Sequence, residues 1–551
     1  MPTPEIPDER LANIAQWAIA RMARSDRAPV AERILGAAGQ RVQDPRVRAD
    51  LLIDGAEARL ARGHVPRHLT KAYVARLERA DQEHEAGRWA AAGSETTRAL
   101  LLAYHRVLHV DGLTSPLADH PGRYTGPLRK SRAAAALRRP RGRTGTAAAP
   151  PAGRPQRMLF VHHDNDNFLH PVHDRYAADP GVETRVLDTA HDPVVGPLAR
   201  GVTRIVQRAL GGQVAYGKDL EAALRPHLDW ADTVFIDWCA MGAALFSLVD
   251  PGSTRIVVRL HSYEAFSLWP HIVDFSRVDD LVFVSEHLRD LCIAAVPRLK
   301  EKGAPRLHVI DNAVELAPFD RPKKPDARFT LGLVGVGQVA KDPRWALEVL
   351  RMLREKDDRY RLHLIGSPLD PGVGPAAARY HKAYARELRR LEGVGAVRHI
   401  GQTPDVPGAL AEIGVILSAS VRESWHLGLV EGAASGAVPV VRDWPFFAGR
   451  PRGARALFPE SWVVPDPAAA AARILELTAT EDGWRTAGRQ AAGHARAAWD
   501  WSRVQRDFDR LLLPAGRAVC STGEAPAEGE EPEAALPAEA QPAEALGKAA
   551  E

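Results

Sequence analysis

Short apolar runs alternate with helix-like segments in two successive series, and this alternation constrains the fold more than any other feature of the sequence. Alternating strands and helices form parallel sheets that carry helices on both faces. The sequence therefore predicts an α/β chain with two doubly wound domains in tandem, whose facing sheets would enclose one cleft. The strands are predicted at 158–161, 233–236, 255–260, 281–285 and 307–310 in the first series, and at 330–335, 361–366, 397–401, 414–418 and 438–441 in the second.

The remaining segments differ from these series in composition. The first part of the chain contains helix-like runs separated by Gly and Pro, which predicts an all-α domain of hairpins or repeats. A basic, Pro-containing block follows it, and an Ala-, Glu- and Pro-rich segment ends the chain. Such blocks are typical of linkers and disordered tails. The predicted divisions are a helical domain at 1–128, a linker at 129–156, an amino-terminal α/β domain at 157–322, a carboxyl-terminal α/β domain at 323–513 and a disordered tail at 514–551.

Composition excludes several classes of protein. The three cysteines, Cys239, Cys292 and Cys520, lie far apart, so neither a disulfide framework nor a zinc finger is expected. No apolar run approaches the roughly 18 residues of a membrane span, and the first ten residues lack the features of a signal peptide. We therefore expect a cytoplasmic protein. The basic linker is a candidate contact with an anionic membrane, but no nucleic acid partner is expected because no aromatic residues are interleaved.

The segment at 422–431 carries the clearest chemical signal. Glu423 and Glu431 lie eight positions apart at a predicted transition from strand to helix. Carboxylates accept hydrogen bonds from sugar and ribose hydroxyl groups. The start of a helix offers N–H groups and the positive end of its dipole to a phosphate. This combination suits the binding of a nucleotide-sugar.

Residues 422–431 resemble the E-x7-E motif of the family-4 retaining glycosyltransferases, which have the GT-B fold of two Rossmann-like domains. Other likenesses follow the family's order over about 157–512. The turn at 311–315 (DNAVE) resembles the family's P-N-G-V-D turn, and residues 335–341 (GVGQVAK) resemble its glycine-rich loop with a phosphate-binding lysine. Gly436 and Pro439 match its G-x-P-V stretch. His261, after the predicted strand 255–260, resembles the active-site histidine of the first domain.

The resemblance implies a metal-independent, retaining transfer of a sugar from a nucleotide diphosphate-sugar to a cell-envelope glycan or natural-product acceptor, without a cofactor. It implies that Glu431 binds the ribose, Glu423 faces the donor sugar and Lys341 holds the diphosphate. His261 would contact the sugar near the reacting carbon, so His261, Lys341 and Glu423 are the catalytic candidates. The donor-binding candidates are Gly335, Gly337, Gln338, Lys341, Glu423, Ser424, His426, Leu427, Gly428 and Glu431.

A polar loop after the first predicted strand is expected to line the acceptor side of the cleft. Its candidates are Asp164, Asn165 and Asn167, together with Glu264. The run Asp164-Asn165-Asp166 also resembles the D-x-D metal motif of the other large glycosyltransferase fold. Oxygen and nitrogen ligands of this kind suit Mn²⁺ or Zn²⁺, so a metal-dependent transferase is a second hypothesis.

A third hypothesis is a non-catalytic scaffold that binds a nucleotide-sugar. Gln338 stands where the family often has an arginine, which leaves Lys341 as the clear cation for the diphosphate. In this reading, and also in the enzymatic one, residues 1–128 are a candidate surface for a protein partner. Purely structural roles are also open for the two glutamates at a helix start and for His261 at a strand end. The donor base, the donor sugar, the acceptor and the oligomeric state are not predicted.

Overall fold

Two six-stranded parallel sheets form the body of the computed structural model, which describes residues 6–22 and 27–514. The strand orders are β2-β1-β3-β4-β5-β6 and β12-β11-β10-β7-β8-β9. These sheets, with helices before and between their strands, confirm the predicted GT-B arrangement of two tandem Rossmann-like domains after a helical region. The strands are β1 Gln156–His162, β2 Val182–Asp188, β3 Thr233–Asp237, β4 Arg255–Leu260, β5 Asp280–Phe283, β6 Arg306–Val309, β7 Thr330–Val334, β8 Arg361–Ile365, β9 Val397–Gly401, β10 Val415–Ser418, β11 Val438–Arg442 and β12 Val463–Val464.

Within the described part of the chain, ten helices precede the first strand, and Pro or a polar cap begins several of them. Asp44, for example, accepts hydrogen bonds from the first amides of the third helix, which also has Pro at its first position. The helices are α1 Asp8–Met22, α2 Ala28–Arg41, α3 Pro45–Ala61, α4 Leu69–Glu85, α5 Trp89–Ala103, α6 Arg106–His109, α7 Pro116–Asp119, α8 Pro121–Tyr124, α9 Gly126–Lys130 and α10 Arg132–Leu137.

Fifteen further helices of the described residues cover the faces of the two sheets. None of the helices within 6–22 and 27–514 combines the length and the apolar character that crossing a bilayer requires. The fifteen helices are α11 His170–Ala177, α12 Val202–Ala209, α13 Val214–Trp230, α14 Met241–Leu248, α15 Ser262–Ala265, α16 Trp269–Ile272, α17 Glu286–Ala295, α18 Pro343–Arg354, α19 Pro375–Glu392, α20 Val406–Ala411, α21 Leu427–Ala434, α22 Ala454–Leu457, α23 Pro467–Leu477, α24 Glu481–Trp499 and α25 Trp501–Leu512.

The ten predicted strands all exist, and the two strands that the sequence did not reveal lie at sheet edges. Strand β2 has the sequence VETRVLD, whose charged residues leave it without an apolar run, and it is largely exposed between its ends. Strand β12 contains only two residues. An edge strand has one neighbour and needs fewer apolar residues, so its sequence signal is weaker.

The segment predicted as a solvated linker is bound to the first α/β domain, which corrects that prediction. Arg141, Arg143 and Arg154 form ion pairs with Asp274, Asp279 and Asp232 respectively. These aspartates are 78 or more positions away in the chain, so local composition could not reveal them. The predicted tail lies outside the described residues, apart from Pro514.

The chain returns to the first sheet at its end, although the sequence placed residues up to 513 in the second domain. Helix α25 inserts Phe508 against Phe235, with ring centroids 6.3 Å apart. The side-chain amide of Gln156 in β1 donates a hydrogen bond of 2.9 Å to the carbonyl of Leu512. The two α/β domains are therefore joined by the connector before β7 and again by this returning helix.

The helical region packs closely on the first α/β domain through α5 and α12. Gly93 in α5 lies so near α12 that an added Cβ would be 2.6 Å from Cγ and 2.7 Å from Cα of Gln207. The contact therefore requires glycine at this helical position, because any side chain would push the two helices apart.

Gly93→Ala is expected to lower the free energy of unfolding by about 1–3 kcal/mol, the typical effect of overpacking, although alanine is the better helix former. Gly36→Ala is the matched control, because an added Cβ at Gly36 in α2 meets no atom within 4 Å. That control is expected to be neutral or stabilising by up to about 1 kcal/mol. Urea denaturation followed by circular dichroism would measure both, and equal effects would contradict the close contact.

Candidate active site

The candidate site lies where the order of the second sheet reverses. The chain runs outward from β7 to β9, then returns to the other side of β7 with β10, so β7 and β10 are neighbours. Ligands of open α/β sheets bind at the carboxyl ends of the strands at such a switch point. The loop after β7 carries Lys341 and the loop after β10 carries Glu423. A hydrogen bond of 2.8 Å from the amide of Val421 to the carbonyl of Ala340 joins the two loops.

Lys341 and Glu423 form an ion pair in this site. Lys341 Nζ lies 2.7 Å from Glu423 Oε1, and Ser420 Oγ donates to the same oxygen over 2.5 Å. Burial alone would raise the pKa of Glu423, but the positive charge of Lys341 and the hydroxyl of Ser420 outweigh burial and lower the pKa to about 2. Glu423 is therefore a buried, ionised carboxylate at neutral pH, and Lys341 is its counter-ion.

His426 starts helix α21 in an unusual backbone conformation. Its φ of +77° lies in the left-handed region, which costs a residue other than glycine of order 1–3 kcal/mol. Its Nδ1 accepts a hydrogen bond of 3.2 Å from the amide of Leu429, and burial lowers its pKa to about 4. The neutral ring thus carries its proton on Nε2, which is buried, lies 3.6 Å from Glu423 Oε1 and makes no hydrogen bond among the described residues. This buried N–H group is thus left without a hydrogen-bond acceptor among the described residues.

Glu431 lies on the second turn of α21, which starts at Leu427. It is half-buried, and no described residue forms an ion pair with it. Burial raises its pKa to about 7. A carboxylate that is desolvated and lacks a partner gains from hydrogen-bond donors of a ligand.

Glycines allow the backbone segments of the site to approach one another. An added Cβ at Gly428 would lie 2.6 Å from Cβ of Val334, so only glycine lets α21 lie against the end of β7. Gly335 has a φ of +77°, and its Cα faces the side chain of Lys341. The other donor-side candidates surround this point: Gly337 and Ser424 are half-buried in the two loops, Gln338 is exposed, and Leu427 opens α21.

His261 lies in the first domain, directly after β4. Its Nε2 is 3.1 Å from Asp237 Oδ1, and its ring lies between Trp238 and Phe168 at centroid distances of 4.3 and 5.0 Å. Arg259 donates to both oxygens of Asp237, at 2.7 and 2.8 Å. Burial lowers the pKa of His261 despite the adjacent carboxylate, so the structure favours a neutral ring that donates from Nε2.

The two domains touch next to these residues. Arg422 Nη1 donates to Ser262 Oγ over 3.2 Å, which joins the residue before Glu423 to the residue after His261. His287 Nε2 donates to the backbone carbonyl of Glu423 over 2.9 Å. The structure therefore brings the three catalytic candidates to one interdomain boundary, with Lys341 and Glu423 on one side and His261 on the other.

The acceptor-side candidates separate into two groups. Asp164 and Asn167 are exposed in the loop after β1, where the order of the first sheet reverses, and Asn165 accepts a hydrogen bond of 3.1 Å from the amide of Asn167. Glu264, by contrast, is fully buried and accepts hydrogen bonds from the amides of Cys239 and His261. Burial raises the pKa of Glu264 to about 8. Glu264 supports His261 from the protein interior by accepting its backbone N–H. The sequence prediction that Glu264 lines the cleft is therefore wrong.

The loop after β1 also bears on the metal hypothesis. Asp164 has a φ of +64°, and its amide donates to Asp188, which pairs with His191 at 2.6 Å. Within 6–22 and 27–514, no three or more His, Cys, Asp or Glu side chains come together as a metal site. The geometry gives the D-x-D reading no support.

Several residues of the site were not found from the sequence. Asp237, Arg259 and Ser420 orient His261 or Glu423, and His287 and Trp425 join the domains. Asp237 and Arg259 stand in or at the end of apolar strands, and a charged residue in such a strand was the available signal. The cross-domain partners left no such signal, because their contacts depend on the packing of distant segments.

Comparisons with known proteins agree with this location. Residues 328–480 match the family model described as "Glycosyl transferases group 1". This match covers most of the second α/β domain, includes Lys341, Glu423 and Glu431, and supports a transferase enzyme. No curated protein matches the chain.

Several solved structures are similar to the chain at low identity. TarM from S. aureus is 14% identical over 54% of this chain and 58% of its own, with a TM-score of 0.43. HepE from Anabaena, solved with UDP, is 14% identical over 65% of this chain and 99% of its own, with a TM-score of 0.46. A UDP-forming trehalose-phosphate synthase from Burkholderia xenovorans is 13% identical over 64% of this chain and 98% of its own, with a TM-score of 0.45. The chain matches about three fifths of the TarM structure.

The raised pKa of Glu431 predicts a pH-dependent cost in stability. A carboxyl group whose pKa rises from 4.5 in the unfolded chain to about 7 in the folded chain binds its proton more tightly when folded. Stability therefore falls as pH rises through this window. Glu431→Gln is expected to stabilise the chain relative to the wild type by of order 1–3 kcal/mol more at pH 8 than at pH 4.5. Denaturation at both pH values measures this difference, and the exposed Glu315→Gln is the control with no such trend.

Proposed function

We propose that this chain is a retaining glycosyltransferase that moves a sugar from a nucleotide diphosphate-sugar to a cell-envelope glycan or natural-product acceptor. The observation that carries the proposal is the cluster at the switch point of the second sheet, where Lys341, Glu423 and the buried Nε2–H of His426 converge. It combines a cation for a diphosphate, a carboxylate for sugar hydroxyls and an N–H donor without a partner. The match of residues 328–480 to a glycosyltransferase family supports the same reading.

The donor is expected to displace Glu423 from its contact with Lys341. In this state the ammonium group of Lys341 faces the diphosphate, and the first amides of α21 point at the same charge. Glu423 then accepts hydrogen bonds from the donor sugar, while Glu431 accepts those of the ribose. The exchange gives Lys341 an anionic partner, and it gives Glu423 hydroxyl hydrogen-bond donors that offset part of the cost of losing its counter-ion.

The chemical step breaks the bond between the anomeric carbon of the sugar and the leaving phosphate oxygen. The acceptor hydroxyl forms the new bond on the same face, and its proton passes to the departing diphosphate, so the configuration is retained. Negative charge develops on that diphosphate, where Lys341 stabilises it. His261, held by Asp237, contacts the sugar near the reacting carbon from the first domain. The loop after β1, with Asp164, Asn165 and Asn167, contributes the acceptor side.

A non-catalytic sensor is the second candidate function. The exposed Gln338, at the position where an arginine is common, is the observation that favours it. It predicts binding of a nucleotide-sugar without any transfer or hydrolysis of the donor.

Binding of a nucleoside diphosphate is the first prediction of the proposal. One of UDP, GDP, ADP, CDP and TDP is expected to raise the melting temperature by about 2 °C or more at saturation, because a ligand of the folded state stabilises it by mass action. The shift is expected to be the same with EDTA. A shift that EDTA abolishes would favour the metal-dependent reading, and no shift from any of the five would contradict the proposed donor site.

Two substitutions separate the roles of binding and catalysis. Lys341→Ala is expected to lower kcat by about a hundredfold, because it removes a charge that stabilises the leaving group. Glu431→Ala is expected to raise the KM for the donor by about tenfold with a smaller change in kcat, because it removes hydrogen bonds formed before and during the reaction. Steady-state kinetics of sugar transfer, with a donor that carries the nucleotide identified above, measure kcat and KM for both variants.

The control for Lys341→Ala is Lys324→Ala, which removes an exposed lysine outside the site and should leave both constants unchanged. Lys341→Ala also leaves Glu423 without its counter-ion, so its melting temperature is measured alongside. Normal transfer by both Lys341→Ala and Glu431→Ala would refute the assigned roles. Bound donor with no turnover by the wild type would favour the sensor.

A further inference from the structure

A cavity lies where the helical region meets the first α/β domain. Its volume is about 940 Å³, within the range of small-molecule sites. One wall comes from the ends of α4 and α5 and from α9 and α10, and the other comes from the ends of α12 and α17. None of the candidate site residues described above lines it.

Arginine dominates the lining of this cavity. Four arginines face it, Arg129, Arg138, Arg139 and Arg298, and Glu301 is the only carboxylate among its described lining residues. No described carboxylate forms an ion pair with any of the four, whereas Arg132 and Arg141 of the same stretch pair with Glu85 and Asp274. Arginine side chains that lie close together without carboxylate partners create a positive potential, which an anionic ligand can neutralise.

Arg298 shows that this charge is incompletely satisfied. Its Nη2 donates to the carbonyls of Pro270 and Val273 at 2.9 and 2.7 Å. Its Nε is buried and has no hydrogen-bond partner among the described residues. Burial and the adjacent Arg138 lower the pKa of Arg298 to about 10, so the guanidinium remains charged at neutral pH while its neighbours repel it.

The other walls are apolar or aromatic. Trp89 is 40% exposed and packs edge-on against His84 at 5.1 Å. Leu210 and Pro297 complete this side. A ligand of the cavity therefore contacts guanidinium groups on one side and the indole ring of Trp89 with aliphatic groups on the other.

We propose that this cavity binds a small organic phosphate, with the phosphate on the arginines and its carbon skeleton against Trp89. Guanidinium groups match phosphate oxygens in bidentate geometry, which is why arginine is the preferred partner for this group. The site is independent of the proposed transfer reaction, because it shares no residue with the cleft.

Inorganic pyrophosphate is the probe, and its binding to the full chain is measured by isothermal titration calorimetry. The measurement uses the Lys341→Ala background, which weakens any binding of the probe in the cleft. Adding Arg138→Gln and Arg139→Gln is expected to weaken binding by about tenfold or more, because two charge-assisted contacts are lost. Arg132→Gln is the matched control. Arg132 lies at the start of α10 and is paired with the exposed Glu85, so its substitution is expected to leave binding unchanged.

Glu301→Gln tests the same site, and its expected effect on pyrophosphate affinity is opposite to that of the arginine substitutions. It removes the only carboxylate among the described residues of the lining, so it is expected to tighten binding about twofold or more. Glu301 is exposed, and this variant therefore avoids the risk that the double arginine variant fails to fold. The proposal is overturned if pyrophosphate does not bind, if Lys341→Ala alone abolishes its binding, or if Arg132→Gln and the double variant weaken it equally.

The source of the phosphate is resolved by a vesicle assay. Retention of the chain on vesicles of phosphatidic acid that pyrophosphate displaces, and that Arg138→Gln with Arg139→Gln abolishes, would identify a lipid headgroup. Binding of pyrophosphate without such retention would identify a soluble phosphate. Both results support the site, whereas retention that is insensitive to pyrophosphate and to these substitutions would place membrane contact elsewhere.

Discussion

A single buried carboxylate, that of Glu423, holds the candidate site together. An ionised carboxyl group that is withdrawn from water requires a counter-ion and hydrogen-bond donors, and here Lys341 and Ser420 supply them. That requirement fixes the loop after β7 against the loop after β10. Because the backbone carbonyl of the same residue accepts a hydrogen bond from His287, it also ties the second domain to the first. The candidate site and one of the contacts between the domains therefore share this residue.

This dependence couples ligand binding to the arrangement of the domains. Trp425, two residues after Glu423, donates to Asp311 of the first domain over 2.9 Å, and burial raises the pKa of that aspartate to about 6. A donor that draws Lys341 away from Glu423 changes the charge balance beside both interdomain contacts. Any rotation of one sheet against the other must likewise break or carry along the segment from Arg422 to Trp425. The segment from Arg422 to Trp425 thus belongs both to the candidate site and to the contact between the domains.

The sequence was sufficient for the alternation of strands and helices and for placing Lys341 and Glu423 in loops after strands, since both depend on local patterns. Apolar runs marked ten strands, and Glu423, Glu431 and Lys341 occur in recognisable motifs. It was not sufficient where a residue's environment comes from distant segments. Glu264 looked like an exposed polar residue beside His261, but amides from two loops bury it completely. Arg141 and Arg143 looked like a solvated charge block because their aspartates are distant in the chain. Strand β2 was missed because its exposed residues conceal its pairing with β1.

The helical region gains significance from the same geometry, because it touches both α/β domains. It packs on the first through α5 and α12, and on the second through Arg379, whose guanidinium donates to the carbonyl of Arg62 over 2.8 Å. Because the helical region contacts both α/β domains, it restrains the angle between them. The arginine-lined cavity opens at its contact with the first domain, so an anion there would neutralise charges that otherwise repel each other across that contact.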